Sequence, residues 1–151
     1  MNFTRILAEG YGPGAWHGAD IKAAIDDVSE ARAFARPART TGPAHNIAEL
    51  TMHHAFYVHA VRGRLLGEAI EAFPLAGDDF FPLSGAQDMS WDAIRAVLKD
   101  QQARLVATVE QIEAGTLRSP LSTDEQLTLV LGITCHSAYH AGQVQLLKLH
   151  P

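Results

Sequence analysis

The sequence predicts an all-α fold: a four-helix bundle with a long connection between its second and third helices. Three observations carry the prediction. Long segments place apolar residues at three- and four-residue intervals. No segment alternates apolar and polar residues as a half-buried strand does. Glycine- and proline-bearing stretches at Gly10–Gly14, Pro37–Pro43, Pro74–Gly85 and Gly115–Pro120 separate the helical segments.

A short helix is expected over Asn2–Ala8. The first long helix is expected over Ala19–Ala35, where an alanine-rich run sets Ile21, Ala24, Ile25 and Val28 at helical spacing. The second is expected from about Pro43 to Glu68 or a little beyond, with proline tolerated in a first turn whose N–H groups are unpaired anyway. Its residues Ile47, Leu50, His54, Val58, Val61 and Leu65 form one stripe. The third is expected from Ser90, an N-cap, to Ala114, with Gly115 ending it. The fourth is expected from Ser122 or Thr123 to Lys148, opened by a capping box on Glu125 or Gln126. The connection Ala69–Met89 is long enough to cross the bundle, which would make the second and third helices parallel.

A chain of 151 residues suits a single domain, and 47% apolar against 19% charged residues is a globular composition. A net charge of −5 argues against nucleic-acid binding, which needs a basic face. There is no basic cluster for a membrane surface and no apolar run near the roughly 18 residues of a spanning helix. Cys135 is the only cysteine, and the first residues lack a secretory pattern, so a cytoplasmic location is expected.

Eight histidines are the compositional oddity: four lie between His45 and His59, and two more are His136 and His140. At about 100° per residue, Leu129, Ile133, His136, His140, Val144 and Leu147 fall within a quarter-turn of the fourth helix, so both imidazoles align with residues that seek burial. Leu127, Leu131, Ala138 and Ala141 lie opposite, as in a central helix. Two buried imidazoles need partners, and histidines at i and i+4 can chelate one ion. A third ligand must then come from another helix. In "AHNIAELTMHHAFYVHA" periodicity alone selects His54, in the middle of the apolar stripe, while His53 lies beside it, one turn after Glu49.

"AHNIAELTMHHAFY" and "HSAYHAGQVQLLK", with "AWHGADIKAAI" and "DDFFP", resemble the DinB/YfiT-like superfamily of metal-dependent enzymes over Trp16–Lys148. The resemblance implies a four-helix bundle with a crossed connection and a divalent metal on three histidines. Motif register assigns them to His53, His136 and His140, and sets His54 where the family usually has an aliphatic residue. Three neutral imidazoles leave a coordination position open, the catalytic rather than the structural arrangement. The donors suit zinc, nickel, iron, cobalt or copper. The chemistry implied is thiol S-transfer or hydrolysis, with a low-molecular-weight thiol as cosubstrate. The competing expectation is a non-catalytic, stress-related metal- or ligand-binding protein. A homodimer through the alanine-rich first helix is also expected.

Other residues carry plainer expectations. Glu49 is either a general base, an acceptor orienting His53, or a solvated helix residue, the last favoured. Tyr57, Tyr139 and Gln143 either line the site or only pack. Cys135 is expected in the core, and Trp16 and Trp91 as packing anchors. Phe80 and Phe81 are expected either to cap the bundle end and shape a pocket mouth or, equally, to serve as plain core residues. His45 is expected near a helix start, and His17, His59 and His150 as ordinary polar residues.

Overall fold

The structure is a computed structural model that describes residues 2–38 and 44–149. Pro43 and His150 lie outside the described residues. Those described contain six helices and no strand: α1 Phe3–Tyr11, α2 Ile21–Asp26, α3 Glu30–Phe34, α4 Ile47–Leu66, α5 Trp91–Glu113 and α6 Thr123–Leu149.

Helix α1 begins where Asn2 accepts from the Arg5 N–H at 2.8 Å, and it runs three residues past the expected Ala8. The carboxylate of Glu113, the last residue of α5, accepts from the Phe3 N–H at 2.6 Å and the Thr4 hydroxyl at 2.7 Å. An anion at a helix N-terminus satisfies its unpaired N–H groups and complements its dipole.

The expected long helix over Ala19–Ala35 is instead two short ones. Asp20 caps α2 through the Ala23 N–H, and Ser29 caps α3 through the Arg32 N–H. Local side-chain bonds from serine and aspartate compete with helix continuation, and here they outweigh alanine propensity. The break frees the Val28 carbonyl, which accepts from the Trp91 indole N–H at 2.7 Å.

Helix α4 opens on a capping box between Asn46 and Glu49. It ends at Gly67, whose φ of 69° is left-handed. A Cβ there would also lie 2.3 Å from the Pro120 ring, so glycine is required twice over. Ser90 caps α5, and Ser122 with Glu125 makes the reciprocal pair that opens α6.

Two clusters form the core. One joins Ile47–Ala55 of α4 to Trp91, Ile94 and Leu98 of α5 and Ala141 and Val144 of α6, with Phe81 and Leu83 entering from the connection after α4. The other joins Val58, Val61 and Leu65 to Leu105 and Val109 of α5, Leu129, Val130 and Ile133 of α6, and Phe3 and Leu7 of α1.

Helix α6 is not central. Leu131, Cys135, Tyr139, Leu146 and Leu149 are exposed, so Cys135 is a surface thiol rather than a core residue. Apolar content recorded the helix's composition, not how many neighbours cover it. Trp91 is buried as an anchor, whereas Trp16 is 91% exposed and anchors nothing. Among the described residues, no helix is long and apolar enough to cross a membrane.

Candidate metal centre

Three imidazoles meet where α4 faces α6. His53 Nε2 lies 3.1 Å from His136 Nε2, which lies 3.0 Å from His140 Nε2. One nitrogen from each residue falls within 4.8 Å of the other two. His53 and His140 are buried and His136 is half-buried.

The nitrogens facing away from the cluster fix its protons. His53 Nδ1 lies 3.0 Å from the Asp79 carboxylate and 3.2 Å from the Asp79 carbonyl, both acceptors only. His140 Nδ1 lies 2.6 Å from Gln143 Oε1, and the Gln143 amide donates to the Tyr139 hydroxyl at 3.2 Å. Both rings therefore carry their proton on Nδ1 when neutral, and both Nε2 atoms present lone pairs to His136. His136 has one Nε2 proton at most, so it cannot satisfy both.

A cation resolves this. Ligand bonds of about 2.0–2.1 Å in tetrahedral geometry put nitrogens about 3.3 Å apart, and right-angled bonds put them about 2.9 Å apart. The two separations from His136, 3.1 and 3.0 Å, fall between these, and the three donors lie within 4.8 Å of one another, so the residues fit a divalent ion.

With His136 Nε2 turned to an ion, its Nδ1–H donates to His54 Nδ1, 2.9 Å away. His54 then carries its proton on Nε2, which is buried and has no partner. The atom that α4 brings into the cluster is thus on His53, while His54 backs His136 from the other side. Both are buried, so the apolar stripe could not separate them.

Phe80 is stacked between His45 and His53, with ring centroids at 3.6 and 4.0 Å and both pairs within 7° of parallel. Tyr57 lies 4.9 Å from the His53 ring and 5.1 Å from that of His136. Its hydroxyl donates a long 3.4 Å bond to Asp79. Tyr57, Tyr139 and Gln143 therefore do border the cluster.

Glu49 is neither solvated nor in contact with His53. It is 3% exposed and accepts from Arg36, the Leu83 N–H at 3.2 Å and His45 at 3.1 Å. Burial raises its pKa, but the Arg36, Leu83 and His45 bonds outweigh this and hold the carboxyl below its usual range. His59 is buried on Gln101 rather than being a surface polar residue, and His17 is exposed on the Glu9 carbonyl. Asp79 had no assigned role in the sequence reading. Its only signal was its place in "DDFFP", a segment without periodicity.

Burial, then the neighbouring histidines, pushes the His136 pKa down to about 4. Burial also lowers His140 to about 4, against the Gln143 bond that favours its charged form. Unfolded, each titrates near 6.5. Between these values the unfolded chain takes up protons that the folded chain refuses, so metal-free stability falls as pH drops from about 6.5 to 4. Urea midpoints of the metal-free protein should decline across that window, and the decline should be shallower in a His136→Ala/His140→Ala variant.

An all-helical chain with three histidine nitrogens from two helices gathered on one point has the form of a metal-binding helical protein. The family model of the DinB superfamily matches residues 15–144, and the chain belongs to that superfamily. No curated protein and no solved structure matches it.

Proposed function

We propose that this protein is a metal-dependent enzyme whose site is a divalent transition ion on His53, His136 and His140. The observation that carries the reading is the convergence of three imidazoles, with the Nε2 atoms of His53 and His140 at 3.1 and 3.0 Å from that of His136 and both turned inward by acceptors on the opposite ring nitrogen. When bound, such an ion supplies Lewis acidity to a thiol, a water or an oxyanion. The chain's own residues do the rest. Asp79 and Gln143 keep the Nδ1 protons of His53 and His140, which fixes ring orientation and ligand basicity. Among the described residues, Tyr57 offers the one hydroxyl that both borders the cluster and contacts Asp79.

The reaction class is thiol S-transfer or hydrolysis, with a low-molecular-weight thiol as the favoured cosubstrate. The two core clusters support reading the fold as a four-helix bundle of α1, α4, α5 and α6, with residues 67–90 crossing between parallel α4 and α5. A cytoplasmic, homodimeric protein completes the proposal.

Elemental analysis of the purified protein should return one equivalent of zinc, nickel, iron, cobalt or copper per chain. The loaded protein should turn over members of a thiol-acceptor or hydrolase panel. One equivalent of metal with no turnover would favour a non-catalytic metal-binding role, and no metal at all would end both readings.

A further inference from the structure

Two hollows border the histidine cluster. The larger, about 330 Å³, is lined by Leu50, Leu146 and Leu147. None of the three clustered histidines lines it; it reaches them through Gln143, which sits on the outward nitrogen of His140, and through His45, stacked by way of Phe80 on His53. The other, about 270 Å³, runs between α4 and α6 and has His136 and Tyr57 in its wall. From there it passes Val61 and Ile133 and reaches Arg64.

We propose that this second groove binds the substrate body, and that the substrate is an amphipathic anion. Its reacting end lies at the histidines, an apolar chain follows the groove, and an acidic head rests on Arg64. The assignment of the reacting end rests on the metal-centre reading; the binding of the chain and head does not.

Length, charge and space support this. Tyr57, Val61 and Arg64 follow one another at i, i+4 and i+7, so they share a face of α4. Seven residues at about 1.5 Å each put Arg64 about 10 Å along the helix from Tyr57. That is the span of roughly eight carbons. Arg64 is exposed and, among the described residues, has no ion pair, whereas Arg62 and Arg104 are both tied to Glu71. On a chain of net charge −5, an unpaired cation at the end of an apolar groove selects anions.

The space is made by Gly132. A Cβ built there meets nothing within 4 Å, so no packing contact requires glycine at that point of α6. Glycine inside a helix is about 1 kcal/mol less favourable than alanine. What it provides here is room in the groove wall.

The test is a titration of ¹⁵N-labelled, metal-free protein with octanoate and, separately, with octyltrimethylammonium. Without metal, Arg64 is the only groove cation that the carboxylate can find. Octanoate should shift the amides of Gly132, Ile133 and residues 57–64 saturably and bind more tightly than the cation. Arg64→Gln should weaken octanoate up to about five-fold, the upper end for an exposed ion pair, and should not weaken the cation. Gly132→Leu should abolish saturation by both probes without lowering the melting temperature. Octanoate binding that ignores both substitutions, or shifts confined to Leu146 and Leu147, would overturn the proposal. Metal uptake measured on the same wild-type sample keeps the two readings apart. Octanoate binding in the groove without metal uptake would sink the metal centre and keep the anion site, and metal uptake without octanoate binding would do the reverse.

Discussion

Alanine at His136 should weaken metal binding by two to three orders of magnitude. Closed four-ligand zinc sites bind with about 10–16 kcal/mol, or about 2.5–4 kcal/mol per ligand. A three-histidine site has no spare donor to share the loss, so a similar figure applies to each of its ligands. His136 is also the middle of the cluster, the ring whose Nε2 faces both others. Competition titration with a chromophoric chelator measures the change. His54→Leu makes the informative contrast. It removes the acceptor behind His136 Nδ1 but no donor to the ion, so the loss should be about ten- to a hundredfold, typical of a residue that orients a ligand. It also removes an imidazole whose Nε2 is buried without a partner, so the metal-free fold should lose little stability or gain some. Equal losses of affinity in the two variants would mean that His54, not His136 alone, donates to the ion.

That contrast also marks how far the sequence could be read. The i,i+4 pair on α6 is local: helical spacing fixes which residues share a face, so His136 and His140 could be paired before any coordinates. The choice on α4 is different. His53 and His54 are adjacent and both buried. Periodicity reports burial, and burial does not say which ring nitrogen faces which neighbour. Motif register selected His53, and the geometry that brings its Nε2 into the cluster depends on Asp79, 26 residues away in a segment without helical period. The same logic separates the helices read well from the one read badly. Ser90 and the Ser122–Glu125 pair are cap signals acting within a few residues, so α5 and the start of α6 were legible, whereas α4 was expected to run past the Gly67 cap that ends it. The break at residues 27–29 turns on a contest between alanine propensity and the Ser29 cap, and Trp91, 63 residues away, supports the broken form by bonding the freed Val28 carbonyl. Exposure of the Leu131–Cys135–Tyr139 face was illegible for a third reason: it depends on which neighbours are missing, and an apolar face looks the same in sequence whether covered or bare.

Glu49→Ala should destabilise the protein by about 2–4 kcal/mol and weaken metal binding about tenfold, although Glu49 touches no ligand. Its carboxylate closes the capping box of α4 and accepts from the buried Leu83 N–H. Losing the acceptor leaves that N–H unpaired, at about 1–3 kcal/mol, and opens the cap, at about 1 kcal/mol. The Arg36 contact adds less, because Arg36 is half exposed. Glu49→Gln keeps an oxygen for Leu83 and should cost about 1 kcal/mol. The pH dependence separates charge from shape. The Glu49 pKa is depressed in the folded state, so its contribution is complete above about 4.5, the unfolded value, and is lost as pH falls through the lower folded value. The stability difference between wild type and Glu49→Ala, measured in urea, should therefore be constant from pH 7 to 5 and shrink below it. The effect on the ion follows from chain connectivity. Leu83 is four residues past Asp79 and three past Phe80, the residues that bond and stack on His53. A carboxylate that pins Leu83 to the start of α4 keeps that segment over the histidine. The variant should hold the ion with the same three nitrogens by X-ray absorption but more loosely, whereas His136→Ala should change the nitrogen count itself.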